Sequence, residues 1–489
     1  MEAGQRVTVI GAGLAGCEAA WLLANAGLPV TLCEQKPEKH SLAHKSPLFA
    51  ELVCSNSLKA ERPDSAAGLL KNEMRTLGSL CLTAADNTRV PAGGALAVNR
   101  EEFAGFITAK IQEHPLIDIR VGEVTSLPNP PAIIATGPLT EGALYAEIAE
   151  QTGGLLSFYD AAAPIITLES VDFSRAFFAS RYGGGIAPTS GETGVDSTRK
   201  EVEDGGYINC PFNKEEYERF YEALINAETA TLHEFDLPGA NVSRETQPIG
   251  QAIKPAVTDS LNRCQVYYEG CMPIEVLAKR GKDAIRFGPM KPVGLRDPNT
   301  GHRPWAVLQL RRENAGGTLY NLVGFQTNLK FGEQKRVFSL IPGLQNPEFA
   351  RYGVMHRNSF LDSPRTLNPD LSLKNAPDVY FAGQITGVEG YMESAACGMA
   401  AAINLLRATN GQAFRPFPAQ TMIGALLGYI TDASVTKFQP MGANFGNLPL
   451  LEEHIRDKRQ RYAALAERAE TALCTYLKDF TFTKGSEPS

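Results

Sequence analysis

The chain has 489 residues, of which 43% are hydrophobic and 21% are charged, a mixture typical of globular proteins with two or three domains. Its net charge of −7 argues against a protein that is basic over its whole surface, and no apolar run reaches the roughly 18 residues typical of a membrane span. Nine cysteines occur without a CxxC pair or a Cys/His cluster at zinc-ligand spacing, so we expect free thiols and no bound metal.

The first predicted elements begin almost at once. VTVI is an apolar, β-branched strand, the turn GAGLAG follows it, CEAAWLLANAG has helical apolar spacing, and PVTLCE is a second strand. Because only a short polar stretch precedes VTVI, we expect no signal peptide and a cytoplasmic location. The pattern then predicts a helix over 66–77, an amphipathic helix capped by Asn99, and strands in IDIRVGEV and PAIIATG. Residues 1–155 are therefore predicted to form the first part of a doubly wound α/β domain.

Residues 156–315 lose this alternation of strands and helices. They mix short β-rich pieces with two long polar stretches, 184–206 and 241–264, and we interpret them as a smaller inserted α+β domain. The α/β pattern returns over residues 316–489. There NAPDVYFAGQITG is a strand with a Gly-rich turn, YMESAACGMAAAINLLRATNG a helix of small residues, and LEEHIRDKRQRYAALAERAETALCTYL a terminal helix. This last part is predicted to complete the first domain.

The turn after the first strand has the spacing of a dinucleotide-binding site. Gly11, Gly13 and Gly16 match the GxGxxG pattern, in which the second glycine lets a pyrophosphate approach the backbone at the helix N-terminus. Glu34 ends the second strand about 20 residues later, where an acidic side chain binds ribose hydroxyls. The alternative is a Gly-rich turn without a ligand, and the order of strand, turn and helix argues against it.

Two later turns favour FAD over NAD as the dinucleotide. AIIATG resembles the strand-end turn of flavoproteins with two dinucleotide-binding domains, and FAGQITGVEGY resembles their C-terminal flavin-contacting strand and helix. The predicted fold is therefore a Rossmann-like FAD-binding domain of this flavoprotein type with an inserted smaller domain. The predicted cofactor contacts are Gly11, Ala12, Gly13, Leu14, Ala15, Gly16, Glu34, Thr136, Gly137, Gly383, Gly387 and Gly390.

Two cysteines lie in settings that favour a reactive thiolate. Cys54 in LVCSNSLKAE is flanked by small polar residues with Lys59 nearby, and Cys271 precedes a strongly basic segment. The commoner interpretation of a single cysteine is a packed, inert residue, and position alone does not separate the two. Cys17 and Cys33 are interpreted as packing residues.

The basic segment stands out in an acidic protein. From Lys279 to Arg312 the chain has nine basic residues against two acidic ones, a local charge of +7. Such asymmetry predicts a surface for a polyanion. A solvated face combined with contacts to cofactor phosphates is the alternative.

Taken together, these motifs carry a family resemblance. The segments GAGLAGCEAA, LVCSNSLKAE, FYDAAAPI, YINCPF, EGCMPIEVLAKRG, FGPMKPVGL, LVGFQTNLK and FAGQITGVEGYMESAACG resemble the folate- and FAD-dependent tRNA uracil-5-methyltransferases (TrmFO) over residues 5–460. The FAD-binding part also resembles the GidA/MnmG tRNA-modifying flavoproteins, but the Cys271 segment and the compact C-terminus favour TrmFO. The stretches 184–206 and 241–264 are longer than is usual in that family.

The resemblance implies a defined chemistry. Methylenetetrahydrofolate supplies a one-carbon unit, reduced FAD takes part in its transfer and reduction, and NAD(P)H reduces the flavin. The acceptor is the T-loop uridine of tRNA, which becomes 5-methyluridine. Carbon 5 of uracil is a poor nucleophile, and a thiolate that adds to carbon 6 turns the ring into an enolate that can attack.

The resemblance also implies roles for individual residues. Cys271 matches the nucleophile, and Cys54 matches a second functional thiol near the flavin. The residues implied to neutralise tRNA phosphates are Lys279, Arg280, Arg286 and Lys291. The target base is expected to leave its stack. No membrane, metal or obligatory protein partner is expected.

Two other functions remain open at the level of sequence. One is a GidA-like flavoprotein that modifies the wobble uridine together with a partner protein. The other is a flavin-dependent reductase that acts without RNA, whose basic segment would serve only cofactor phosphates.

Overall fold

Two compact units make up the chain. The structure is a computed structural model that describes residues 6–41, 43–181, 206–230, 272–314, 316–436 and 438–478. Unit one comprises Met1–Leu156 and Ser359–Ser489, and unit two comprises Ser157–Asn358. The sequence pattern predicts the return to the first domain at residue 316, whereas the chain re-enters unit one at Ser359. The reason is that strands after residue 316 pair with strands of unit two, as described below.

The first part of unit one alternates strands and helices. In chain order, it contains the strands β1 (Val7–Ile10), β2 (Val30–Glu34), β3 (Ser57–Ala60), β4 (Arg89–Val90), β5 (Ala95–Val98), β6 (Ile117–Val121) and β7 (Ala132–Ile134), and the helices α1 (Leu14–Asn25), α2 (Ala66–Thr76), α3 (Leu80–Asn87), α4 (Arg100–Glu113) and α5 (Gly142–Thr152). Helix α4 begins as predicted, because the side chain of Asn99 accepts hydrogen bonds from the amides of Glu101 and Glu102.

Unit two is entered within β8 (Leu155–Ala161) and left within β15 (Met355–Leu361). It contains the strands β9 (Ile165–Thr167), β10 (Phe177–Ala179), β11 (Tyr207–Phe212), β12 (Ala306–Arg312), β13 (Leu319–Leu322) and β14 (Phe349–Arg351), and the helices α6 (Lys214–Ile225), α7 (Ile274–Ala278), α8 (Ala284–Phe287) and α9 (Phe331–Phe338).

The last part of unit one is mostly helical. It contains α10 (Ser363–Thr366), β16 (Ser372–Leu373), β17 (Ala376–Phe381), α11 (Tyr391–Thr409), α12 (Met422–Thr431) and α13 (Lys458–Lys478). Helix α13 begins later than the sequence pattern predicts, because the side chain of Asp457 accepts a hydrogen bond from the Gln460 amide and caps the helix there. None of the helices in the described ranges combines the length and apolar character needed to cross a bilayer.

The central sheet of unit one is the layer that positions the cofactor turn. Its order is β16-β17-β7-β1-β2-β6, and every pair except β16 with β17 is parallel. Val7 and Val9 of β1 are fully buried, as expected for a central parallel strand covered on both faces. Helix α1 lies directly against α11, because Gly398 has no Cβ, and a Cβ there would stand 2.1 Å from the carbonyl oxygen of Ala15.

Unit two is built on an antiparallel sheet in the order β10-β11-β12-β13-β9-β14. Strands β13 and β14 both pair with β9, which ties the chain on either side of residue 330 to this unit. Its core combines aliphatic with aromatic side chains, and Phe212, Phe220 and Phe325 are almost completely buried. The inserted domain therefore extends beyond the stretch that sequence composition alone marks out.

Candidate functional site

The Gly-rich turn after β1 forms an open cradle at the N-terminus of α1. Gly11 has φ +96°, and a Cβ there would lie 2.6 Å from the carbonyl oxygen of Ala135, so only glycine fits. At Gly13, by contrast, a Cβ would meet no atom within 4 Å. Gly13 is the N-cap residue of α1, and no side chain accepts a capping hydrogen bond from the first amides of this helix. An uncapped helix N-terminus beside open space is suited to bind a phosphate group. The predicted contacts Ala12, Leu14 and Ala15 lie in the same turn and the first helical residues.

Glu34 connects the end of β2 to this turn. One of its carboxylate oxygens accepts a hydrogen bond from the Ala12 amide at 2.7 Å, and the other accepts from the Lys36 amide at 2.9 Å. The side chain is only 7% exposed, so its position is fixed. Each carboxylate oxygen has a second lone pair, and this leaves capacity for ribose hydroxyls.

The other predicted cofactor contacts lie at the same edge of the sheet. Thr136 and Gly137 follow β7, and Gly383, Gly387 and Gly390 follow β17. Strands β17, β7 and β1 are neighbours and run parallel, so their carboxyl ends meet. Ligands of doubly wound sheets bind at this edge, where the strand order reverses. The observed cradle fits a dinucleotide.

Cys54 lies on a loop that is held from two sides. The guanidinium of Arg100 donates hydrogen bonds to the carbonyl oxygens of Leu52 and Val53, at 2.9 and 3.0 Å. On the other side, the hydroxyl oxygen of Tyr391 accepts hydrogen bonds from the amides of Cys54 and Ser55, at 2.8 and 3.2 Å. The thiol is therefore fixed against the first residue of α11.

The hydroxyl of Tyr391 is also a neighbour of the thiol itself. Its oxygen lies 3.1 Å from the Cys54 sulfur. Because its lone pairs accept two amide hydrogens, its own proton is available for the sulfur. Burial raises the pKa of Tyr391 well above its usual range, so this proton is retained at neutral pH. The geometry makes Tyr391 a hydrogen-bond donor to a Cys54 thiolate.

A second contact joins the Cys54 segment to α11. The ammonium of Lys59 lies 2.7 Å from the carboxylate of Glu393, which is almost completely buried. The same carboxylate oxygen accepts a hydrogen bond from the Ala443 amide at 3.1 Å. Lys59 itself has a positive φ of 65°, a costly conformation for a residue with a side chain. Tyr391 and Glu393 lie within the motif FAGQITGVEGYMESAACG, but no local pattern marks either as a functional residue.

Cys271 lies outside the described residues, as do residues 184–205 and 241–264 of the two long polar stretches. The chain immediately after it is firmly anchored. The amide of Ile274 donates to the carbonyl oxygen of Gln326 at 2.7 Å. The buried carboxyl of Glu275 accepts hydrogen bonds from Thr327 and Asn328, each at 2.8 Å, and burial raises its pKa.

Most other described cysteines are inert by their surroundings. Burial raises the pKa values of Cys17, Cys33, Cys81 and Cys397, and it raises that of Cys210 to about 12. These thiols stay protonated at neutral pH and act as small apolar residues. Cys474 is exposed on α13. Within the described ranges, no group of three or more His, Cys, Asp and Glu side chains could hold a metal ion.

The four basic residues predicted to contact RNA lie in unit two. Lys279 and Arg280 are exposed at the end of α7, and Lys291 is half-buried. Arg286 differs, since its side chain is only 20% exposed and its Nε donates to the carbonyl oxygen of Trp305 at 3.0 Å. The structure therefore gives Arg286 partners within the protein.

Comparison with known proteins identifies relatives over nearly the whole chain. The sequence matches the family described as Glucose inhibited division protein A over residues 6–413. It is 53% identical over 466 residues to the methylenetetrahydrofolate–tRNA-(uracil-5-)-methyltransferase TrmFO of Desulforamulus reducens, covering 95% of this chain and 96% of that protein. The TrmFO of Listeria monocytogenes is 52% identical over 468 residues, which cover 96% of this chain and 98% of that protein.

Solved structures show the same fold. GidA of Aquifex aeolicus matches with a TM-score of 0.62 at 16% sequence identity, over 97% of this chain and 76% of the GidA chain. At this level of identity the likeness is one of fold, and it agrees with the doubly wound architecture of unit one.

Proposed function

The chain belongs to the methylenetetrahydrofolate–tRNA-(uracil-5-)-methyltransferase family, within the wider Glucose inhibited division protein A family, and from this membership we propose its activity. It methylates carbon 5 of the T-loop uridine of tRNA with a one-carbon unit from methylenetetrahydrofolate. The observation that carries this proposal is the near full-length identity to TrmFO proteins. Such an enzyme meets tRNA and folate in the cytoplasm, and cytoplasmic location is part of the proposal.

The cradle of unit one is the site for FAD. When bound, reduced FAD supplies the electrons that convert the transferred one-carbon unit to a methyl group, and NAD(P)H restores its reduced form. The helix N-terminus at Gly13 accepts the pyrophosphate, and the carboxylate of Glu34 accepts the ribose hydroxyls. The further residues that would hold FAD are Gly11, Ala12, Leu14, Ala15, Gly16, Thr136, Gly137, Gly383, Gly387 and Gly390.

Cys271 is the nucleophile in this proposal. Its thiolate adds to carbon 6 of uracil and forms a carbon–sulfur bond, which places an enolate on the ring and makes carbon 5 nucleophilic. Carbon 5 bonds to the methylene carbon of methylenetetrahydrofolate as one of the two carbon–nitrogen bonds of that carbon opens. Carbon 5 then loses its proton and the second carbon–nitrogen bond breaks, which releases tetrahydrofolate. Two electrons, supplied by reduced FAD, and one proton complete the methyl group, and the thiolate leaves carbon 6. The motif EGCMPIEVLAKRG and the anchored chain that follows it support this role.

Cys54 is the second functional thiol in this proposal. It lies on the unit that carries the cofactor cradle, and the hydroxyl of Tyr391 stands 3.1 Å from its sulfur. Donation of this proton stabilises the thiolate form, because hydrogen bonds to charged groups are the stronger ones. Exposed cations of unit two, Lys279 and Arg280, neutralise tRNA phosphates together with Lys291.

A transfer assay tests the activity. The FAD-loaded protein receives an unmodified tRNA transcript, methylenetetrahydrofolate labelled in its one-carbon unit, and NADPH, and the nucleosides are then separated. We expect label in 5-methyluridine, and none when the T-loop uridine of the transcript is replaced by cytidine. Cys271→Ala and Cys54→Ala should bind FAD but lose transfer, whereas the control Cys474→Ser should retain it.

Other outcomes of the assay would contradict the proposal. Consumption of NADPH without label in RNA would indicate a flavin reductase that acts without RNA. A modified wobble uridine that depends on an added partner protein would indicate a GidA-like activity. Transfer by Cys271→Ala at the wild-type rate would overturn the assignment of the nucleophile but leave the activity in place.

A further inference from the structure

Phe287 is unusually exposed for a phenylalanine. It ends α8, and 71% of its surface is accessible, more than for any other phenylalanine in the described part of the chain. An aromatic ring held in water forgoes the stabilisation that burial would supply. Val293, six residues further along the chain, is also exposed, at 54%.

The ring is supported by a layered stack of side chains. The guanidinium carbon of Arg286 lies 3.8 Å from the centroid of the Trp305 ring and 5.0 Å from that of Phe287. The Nε of Arg286 donates to the carbonyl oxygen of Trp305, and its Nη1 lies 3.3 Å from the carboxylate of Asp283. A planar cation held between two aromatic rings has little freedom left to lose, so the stack is arranged before any partner binds.

Cations lie in and beside this stack, of which Arg286 faces the carboxylate of Asp283 and Lys282 is paired with Glu218. Phe287 lies within the basic segment from Lys279 to Arg312, and the ammonium of Lys214 stands 5.7 Å from the opposite part of the stack, the Trp305 ring. A protein partner would require a wider apolar patch than one exposed ring. A single exposed ring among cations is the arrangement by which proteins hold unpaired bases, since the ring stacks on the base and the cations attract the phosphates.

We propose that Phe287 stacks on an unpaired base of the tRNA, with Arg286 as the positioning residue that holds the ring outward. The inference rests on the proposed function, because it takes tRNA as the substrate. In this proposal the side chain of Arg286 binds Trp305 and Asp283 within the protein and does not contact a tRNA phosphate. Recognition would then combine a sequence-tolerant stack with separate phosphate contacts from neighbouring lysines.

Binding of an unmodified tRNA transcript to the FAD-loaded protein tests this. Phe287→Ala should weaken binding roughly 5- to 150-fold, the range that stacking on an aromatic side chain contributes. The salt dependence should stay unchanged, because no phosphate contact is lost. Lys279→Ala should instead lower the slope of log K against log salt by about one unit. Phe287→Trp should bind within about twofold of wild type.

A matched control comes from the same unit. Phe331 is 56% exposed on α9 and lies outside the basic segment, so Phe331→Ala should bind tRNA as the wild type does. In the transfer assay, Phe287→Ala should raise KM for tRNA and leave FAD content and flavin reduction by NADPH unchanged.

The outcomes separate this inference from the proposed function. Equal tRNA affinity of Phe287→Ala and wild type, in an enzyme that transfers label, would overturn the stack alone. Loss of affinity in Phe287→Ala but also in Phe287→Trp would overturn it as well. Binding that depends on Phe287 without any transfer of label would support the stack and contradict the methyltransferase activity.

Discussion

The hydroxyl oxygen of Tyr391 lies 3.1 Å from the sulfur of Cys54, although 337 residues separate the two in sequence. The same oxygen accepts hydrogen bonds from the amides of Cys54 and Ser55. Tyr391 thus joins the loop between β2 and β3, which carries Cys54, to the first turn of α11. Its contacts fix both the backbone and the thiol of the candidate functional residue.

Tyr391→Phe should make the Cys54 thiolate harder to form. Removing a hydrogen bond to a charged group costs about 1.5 kcal/mol or more, which corresponds to about one pH unit. We therefore expect the pH midpoint of alkylation at Cys54 to rise by about one unit, with transfer activity reduced. Mass spectrometry of the Cys54 peptide in a Cys474→Ser background measures this. An unchanged midpoint would show that Tyr391 acts only on the backbone.

Gly13→Ala and Gly16→Ala should fail in different ways. A Cβ at Gly13 meets nothing within 4 Å, whereas one at Gly16 would stand 1.8 Å from the carbonyl oxygen of Gly11. Gly13→Ala should keep the thermal stability of the FAD-free protein but weaken FAD binding at least tenfold, by filling the pyrophosphate cradle. Gly16→Ala should lower stability even without FAD. Melting curves and flavin titration distinguish the two, and tight FAD binding by Gly13→Ala would place the pyrophosphate elsewhere.

Glu34→Ala should lose FAD affinity and loosen the turn together. The variant removes hydrogen bonds from the amides of Ala12 and Lys36 and the proposed ribose contacts. Each hydrogen bond to a charged group contributes about 1.5 kcal/mol or more, so the loss of the ribose contacts should weaken FAD binding by about tenfold or more. The exposed Glu38 provides the control, since Glu38→Ala should bind FAD as the wild type does. Equal flavin retention by both variants after gel filtration would contradict a role for Glu34.

The buried carboxyl of Glu73 should make stability depend on pH. It accepts hydrogen bonds from the amides of Met422 and Ile423 at the start of α12, and burial raises its pKa from 4.5 to about 8. The folded state therefore keeps a proton that the unfolded chain releases above about pH 4.5, so this group's stabilisation falls as pH rises towards 8.

Glu73→Gln should remove that dependence. The slope contributed by one such group is at most about 1.4 kcal/mol per pH unit. Between pH 5 and pH 8 the melting temperature of the wild type should therefore fall more than that of the variant. The difference should correspond to the free energy contributed by one titrating group. The exposed Glu470 is the matched control, and Glu470→Gln should follow the wild-type curve. Parallel curves for Glu73→Gln and wild type would mean that Glu73 is ionised in the folded protein.

Local patterns were sufficient to predict the cofactor turn. The strand β1, the glycines of the turn, Glu34 and the cap at Asn99 depend on neighbours within about one helix turn or one strand pair, and spacing along the chain encodes these.

Contacts between distant segments could not be predicted in this way. The Tyr391–Cys54 pair, the Arg286–Trp305 stack and the return of the chain at Ser359 all depend on pairing across long sequence separations. The predicted boundary at residue 316 marked the return of the α/β pattern, but in the structure β13 pairs with β9 and so belongs to unit two. Side-chain stacking and strand partners follow from tertiary packing, which local periodicity does not contain.

Unit one is formed by two parts of the chain that unit two separates, and this has a consequence for synthesis on the ribosome. Strand β7 requires β17 as its neighbour, and α1 requires α11, but α11 ends only at Thr409. At about 5–20 residues per second, the interval after residue 156 lasts on the order of 10–50 s. During that time the edge of β7 and one face of α1 stay uncovered, while the strands of unit two emerge in one continuous stretch. The nascent cofactor unit therefore exposes an unpaired strand edge and an apolar helix face, both prone to aggregation, until the C-terminal segment arrives.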